Sequence, residues 1–443
     1  MIRTFINAFK VKDLRKKIFY TLMCLFVVRL GSQIPAPGVN QVMVQSWLST
    51  MNLGFFDAMT GGSFTQMSIF ALSISPYITS SIIMQLATIV FPKLAEIQKD
   101  GETGRKKIAS WSRYLTVILA LIESGAMAYG FSRNGYTTEK SFMTVLVIAL
   151  CFTAGSAFLM WIGENITENG VGNGISIILA INIIATMPMD FTNLFNVFVI
   201  NAKTKVLGVI AALVIILIVA VTVVLIILLQ DAQRRIPVQY SKKVVGRKML
   251  GGNSTYIPLK VNTSGVIPVI FAMSLLQFPV IISSFFGVNA ATGPDASFWQ
   301  KILYLVTQTN WFNFESFAEF KYTLGAVIYV LLIIFFAYFY TSITFNPLEV
   351  ANNMKKQAGF IPGIRPGRPT TEYLTTVLNK IVLIGAVMLT LVALIPVFFS
   401  GAFGASVSFG GTSLIIVVGV VLETLKQIES QMIERHYKGF LNS

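Results

Sequence analysis

The chain has 443 residues, 54% of them hydrophobic and only 12% charged, with a formal net charge of +15. Soluble domains carry roughly 25% charged residues, so this composition excludes an ordinary soluble protein. The only cysteines, Cys24 and Cys151, each lie inside an apolar run, which excludes a disulfide framework and a Cys-based metal site.

The basic start MIRTFINAFKVKDLRKK (1–17) leads into a first apolar run without a small-residue cleavage site, and reads as a cytoplasmic N-terminal segment rather than a cleaved leader. Ten candidate spans follow, at 18–37, 66–91, 112–131, 142–162, 174–187, 206–229, 266–286, 324–345, 377–399 and 411–427. Each is near the ~20 residues a bilayer requires, the fifth being short. The sixth, VLGVIAALVIILIVAVTVVLIILL, holds no charge at all. Of the 34 Lys and Arg, 26 fall in the N-terminal segment, alternate connections and the tail, against 6 on the opposite side. The positive-inside rule then puts both termini in the cytoplasm, with 428–443 as a tail. The segment between the fourth and fifth spans departs from this bias, with Glu164 and Glu168 and no Lys or Arg.

Two cytoplasmic segments, 231–265 and 346–374, are longer than a helix connection needs and mix Gly and Pro with basic and alternating apolar residues. They read as docking loops, the first as a hairpin around Leu250-Gly251-Gly252-Asn253. Basic charge also attracts anionic lipid, and it fits an acidic or RNA-rich partner.

No G-x-x-x-x-G-K-[ST] or H-E-x-x-H pattern occurs, and the only histidine, His436, lies in the tail. No nucleotide hydrolysis, no catalytic site and no cofactor is expected. Of the ionisable residues in or at the edges of spans, Lys380 and Glu423 sit near span ends, where long side chains reach the interface, while the deeper Arg29 and Glu123 read as inward-facing hydrogen bonds or ion pairs. Polar spans without a motor suit a passive conduit driven from outside.

The second span, QMSIFALSISPYITSSIIMQLATIVF, carries Ser68, Ser73, Ser75, Thr79, Ser80 and Ser81 with Gln85 and Pro76. Such groups face other helices or water. The preceding stretch GFFDAMTGGSFTQ (54–66) is amphipathic, broken by glycine and too short to cross. Ile74 and Ile78 are four apart and share a helix face. A similar Ile–Pro–Ile pattern, Ile267, Pro268 and Ile270, opens the seventh span, while the fifth and tenth begin GISII and GTSLI. Matching marks at matching places indicate an inverted repeat of five-span halves, 18–200 and 201–427, with the functional path between them. Read this far, a small-molecule transporter and a pore-free insertion scaffold stay open beside a channel.

The chain resembles the SecY/Sec61 alpha family over nearly its whole length. The resemblance rests on FVVRLGSQIPAPGV (26–39), SIFALSISPYITSSIIMQL (68–86), AEIQKDGETGRKKI (95–108), GENITENGVGNGISII (163–178), IPLKVNTSGVIPVIFA (257–272), TFNPLEVANNMKK (344–356), GFIPGIRPG (359–367) and FGGTSLIIVVGV (409–420). It implies an all-α, polytopic membrane protein: about ten transmembrane helices in two pseudo-symmetric inverted five-helix halves around a central hourglass pore. It implies a protein-conducting channel in the bacterial plasma membrane that also releases signal sequences and transmembrane segments sideways into lipid. Carried over by position, a pore ring falls on Ile74, Ile78, Leu179, Ile270 and Ile416, with Ile175 nearby. Leu179 stands where the family usually has isoleucine, which keeps the ring apolar. A plug falls on about 55–65, comprising Phe55, Phe56, Asp57, Ala58, Met59, Thr60, Gly61, Gly62, Ser63 and Phe64. A lateral gate falls on Thr79, Gln85 and Phe278, and partner docking on Arg247, Lys248, Arg365 and Arg368. The implied partners are the SecE and SecG subunits, the SecA ATPase, the ribosome, translocating polypeptides and membrane lipids.

Overall fold

The computed structural model describes residues 9–50, 57, 59–200, 205–240, 243–245, 248–250, 254–285, 288, 297–307, 311, 323–403 and 411–441. Fourteen α-helices run through them in chain order. They are α1 (Lys12–Gly31), α2 (Gln41–Thr50), α3 (Ser75–Val90), α4 (Pro92–Lys99), α5 (Glu102–Asn134), α6 (Phe142–Asn169) and α7 (Gly174–Phe195), then α8 (Lys205–Asp231), α9 (Ile267–Phe285), α10 (Phe298–Val306), α11 (Leu324–Thr344), α12 (Pro347–Lys356), α13 (Arg368–Phe403) and α14 (Gly411–Leu441). Ten of them, α1, α3, α5 to α9, α11, α13 and α14, overlap the ten spans read from the sequence; among the described residues five helices are long and apolar enough to cross a membrane, or six with the bent pair α3–α4 as one span. Large side chains such as Met23, Phe26, Leu213, Leu217, Leu331 and Phe335 stay more than half exposed on them. Contiguous apolar exposure on this scale belongs against lipid, and the chain is a membrane protein.

The helices pack in two groups with one neighbour pattern. In the first five spans α3 packs on α5, α5 on α6, α6 on α7, α1 on α6 and α1 on α7. In the second five, α9 packs on α11, α11 on α13, α13 on α14, α8 on α13 and α8 on α14. Every neighbour pair in this set has its counterpart five spans later. The groups meet along two seams: α9 lies against α3 and α5, and α14 lies against α7. A short π-helical segment, Asn196–Ile200, follows α7 and packs on α8.

The second span differs from its expectation as one continuous helix over 66–91. Residues 61–74 run as turns, and α3 begins only at Ser75, with Pro76 in its first turn. Met67 and Ser73 have positive φ, which breaks a helix before Pro76 presets the start of the next. At its far end α3 turns by 106° into α4 at Phe91–Pro92.

The fold is not wholly α. The loop after α8 forms β1 (Gln233–Tyr240), β2 (Lys243–Val245), β3 (Lys248–Leu250) and β4 (Ser254–Lys260). The hairpin turns between Val245 and Lys248, not around Leu250–Asn253, because β2 and β3 pair inside the longer β1–β4 ladder. The loop after α11 adds α12 and β5 (Gly359–Phe360), and β5 pairs with β1 through Gln239↔Phe360 and Tyr240↔Gly359. The two loops share a buried cluster of Ile236, Val238, Leu259, Ala351, Met354, Ile361, Leu374 and Ile381. They are therefore one packed body standing on α13.

The GENITENGVGNGISII stretch is a packing joint between α6 and α7. A Cβ on Gly174 would stand 2.0 Å from the Gly163 carbonyl oxygen, so only glycine lets the two helices close here. The backbone N–H of Val171 donates to Thr21 Oγ1 of α1 at 3.2 Å, tying the same joint to the first span.

Candidate functional site

The centre of the molecule is built from apolar side chains of four spans. Ile74 is the residue at the N-cap of α3, and its carbonyl accepts from the Ile78 N–H at 3.1 Å, so the two side chains stack one turn apart. Leu179 comes from α7, Ile270 from α9 and Ile416 from α14. All five are buried, Ile74 and Ile416 at 0% and Ile270 at most with 7% exposure, within one contiguous apolar cluster, and Ile175 packs against it. Both halves supply side chains to this cluster.

Of the residues matched to a plug, Phe55, Phe56 and Ala58 lie outside the described residues. Asp57, Met59 and Thr60 are helical, and 61–67 continue as turns. The segment is tied to itself: Thr60 Oγ1 donates to the Asp57 carbonyl at 3.0 Å, and Asp57 Oδ1 accepts from the Thr65 N–H at 3.0 Å. Met59 packs into the same cluster as the five-residue set, whereas Phe64 is buried in a second cluster formed largely with α5 and α6. Ser63 is buried as well, and Gly61 and Gly62 both have positive φ.

Two polar residues of neighbouring spans reach this segment. Arg29 Nη1, from α1, donates to the Gly61 carbonyl at 3.1 Å. Asn182 Nδ2, from α7, donates to the Met59 carbonyl at 3.2 Å and to Ser73 Oγ at 3.4 Å. Arg29 stood out in the sequence without a partner, and Asn182 was missed. One asparagine in an apolar run was the only sequence signal for it.

The hydroxyls of the second span go mostly to neighbouring backbone. Ser80 Oγ donates to the Ser112 carbonyl of α5 at 2.7 Å, and the Ser73 carbonyl accepts from Ser156 Oγ of α6 at 3.0 Å. Of the residues matched to a lateral gate, Thr79 Oγ1 donates to the Ser75 carbonyl within α3, and Gln85 Nε2 donates to Ser81 Oγ. Phe278 lies on α9, about one third exposed. Ile78 and Ile82 of α3 share the central cluster with Ile270, Met273 and Leu276 of α9.

Of the residues matched to partner docking, Arg247 lies outside the described residues and Lys248 opens β3. Arg365 is exposed in the turn after β5, whose Gly363 and Gly367 both have positive φ, and its carbonyl accepts from Thr370 Oγ1 at 2.9 Å. Arg368 is exposed too, but its Nε sits 3.1 Å from Glu372 Oε1 one turn along α13. On the same body Arg235 lies over the Tyr256 ring, 4.9 Å from its centre.

A sequence model of the SecY family matches residues 68–425. Protein translocase subunit SecY of Halalkalibacterium halodurans is 44% identical across all of both chains, and that of Bacillus subtilis 42% identical across all of both. Among solved structures, one described as a protein conducting channel aligns with a TM-score of 0.64 at 17% identity, covering 94% of this chain and 92% of that one. Sec61 in a canine ribosome–channel complex aligns with a TM-score of 0.60 at 17% identity, covering the same shares. The likeness in fold, the identity over full length and the match through the central segments agree: this chain belongs to the SecY family.

Proposed function

We propose that the chain is the channel-forming subunit of a protein translocase. Unfolded secretory polypeptides pass between its two halves, 18–200 and 201–427, and signal sequences and transmembrane segments leave sideways between α3 and α9. The observation that carries this reading is the meeting of Ile74, Ile78, Leu179, Ile270 and Ile416 from both halves in one buried cluster, with Met59 packed against it. An apolar ring at a narrow waist disfavours a continuous water column and excludes ions. Branched aliphatic chains also mould around varied polypeptides without asking for specific hydrogen bonds. Residues 55–65 act as the plug of that waist; a SecY structure among the similar ones is described as having a plug domain that stabilises the closed state and maintains a membrane seal.

The chemistry of passage is physical, so the chain is not an enzyme and the driving force comes from a partner. SecE and SecG are the expected companion subunits, and the SecA ATPase and the ribosome the expected drivers. The exposed basic residues of the docking body support that reading, and a Sec61 channel bound to a ribosome is among the similar structures. The expected setting is the bacterial plasma membrane with both termini cytoplasmic. Vesicles carrying the purified complex, SecA, ATP and a secretory precursor test the proposal: the precursor becomes protease-protected. No protection with SecA or with translating ribosomes, from a folded complex that binds them, overturns it.

A further inference from the structure

We propose that Arg29 and Asn182 are positioning residues that clasp the plug in its seat. This rests on the reading of residues 55–65 as the seal of the waist. The plug is not a regular helix through its length, so its carbonyls are not all taken up internally. Carbonyls at membrane depth need donors. Two of them, Met59 and Gly61, are two residues apart, and they receive donors from two different spans: Asn182 Nδ2 of α7 at 3.2 Å and Arg29 Nη1 of α1 at 3.1 Å. Asn182 also reaches Ser73, just before α3, so one amide joins the plug to the start of the second span.

Gly61 is the keyed position. Its φ of +69° is costly for a side chain. A Cβ there would stand 2.7 Å from Arg29 Nη1 and 3.0 Å from the Asn182 Cα. The plug backbone is thus wedged between the two donors.

The clasp is built to release. Its acceptors are neutral, and among the described residues no carboxylate lies within ion-pair distance of Arg29. A carboxylate partner would hold the guanidinium more firmly. Among the described residues no donor reaches the buried Asn182 Oδ1, so the amide is only half satisfied while the plug is seated. Departure of the plug therefore frees donors that water or a passing chain can take up, and it breaks no ion pair.

The test uses the intact complex in planar bilayers, with Arg29→Gln and Asn182→Ala each made in the full chain and in a chain lacking 55–65, and Gly61→Ala made in the full chain. Loss of one such bond shifts the seated-to-released ratio by roughly tenfold, so each substitution should raise resting conductance by up to that factor in the full chain. In the plug-deleted chain, Arg29→Gln and Asn182→Ala should change nothing. Equal increases with and without the plug would mean that these residues only support the fold. Unchanged conductance from folded full-length variants would also overturn the clasp. Where Arg29→Gln fails to fold, Gly61→Ala decides, since it opens the clasp from the plug side. If deletion of 55–65 leaves conductance at the wild-type level, the sealing role falls and takes the clasp with it. If deletion leaks and the point variants do not, the clasp alone falls.

Discussion

At the scale of the residue, one chemistry serves both cohesion and sealing at the centre. Ile78, Ile270 and Ile416 are buried as firmly as any core side chain. Truncating a buried isoleucine in an ordinary core costs about 2–5 kcal/mol. If these three instead form a soft ring between two bodies, replacing them together with Ser should raise ion conductance while the thermal midpoint moves little. A folded variant as ion-tight as the wild type would remove the ring. Gly174 makes the opposite case, since a methyl there meets the Gly163 backbone carbonyl and neither helix can yield cheaply. Gly174→Ala should destabilise the purified protein by about 1–3 kcal/mol, read as a lower melting temperature, and the cost should be felt with or without the plug. The spacing of Ile74 and Ile78 was legible because a helical repeat writes itself into adjacent residues. Arg29's acceptor was not, because Gly61 lies 32 positions away across irregular backbone. Nor was the hydroxyl of Ser80 legible as a bond to α5, since a serine looks the same whether it faces a neighbour or a channel.

Among the elements, long apolar helices were the most readable, because lipid exposure demands unbroken hydrophobic runs. The irregular stretch 66–74 was not, since it reads as the start of the apolar second span and yet turns, with positive φ at Met67 and Ser73. The hairpin was legible as a hairpin, but Gly251-Gly252 drew its turn to the wrong place. The pairing of β5 with β1 left no trace, since two residues of strand carry no pattern. The gate reading makes a claim about two elements: cysteines at Thr79 on α3 and Phe278 on α9 should join when the halves are shut, with Cα atoms within about 7 Å. Crosslinking should block signal-sequence entry, and efficient secretion through a fully crosslinked pair would argue against a sideways exit there. Arg365→Glu tests the docking body. The side chain is exposed, so stability should change by less than about 0.5 kcal/mol. Translocation should fall sharply through lost partner binding, as measured with SecA and with ribosomes; normal binding to both would end the docking role given to this turn.

For the whole molecule, the repeated neighbour pattern gives the halves equal standing, and charge decides which way they face. A reporter fused after residue 360 should read as cytoplasmic, given the excess of Lys and Arg on that side; an external signal would invert the assignment. The paired loops have a mechanical meaning for the assembly. β4 ends at Lys260, and the next residue, Val261, is pinned on both sides: its N–H donates to the Ala232 carbonyl at 2.8 Å, and its own carbonyl sits where a Cβ on Gly385 of α13 would be only 2.3 Å away. Six residues later α9 begins, the helix that faces α3 across the seam. The sheet is thus a handle welded to the second jaw. On the proposed reading of this body as the place where partners dock, a pull on the sheet would pass to α13 and, over six residues, to the helix that packs against α3 at the seam between the halves.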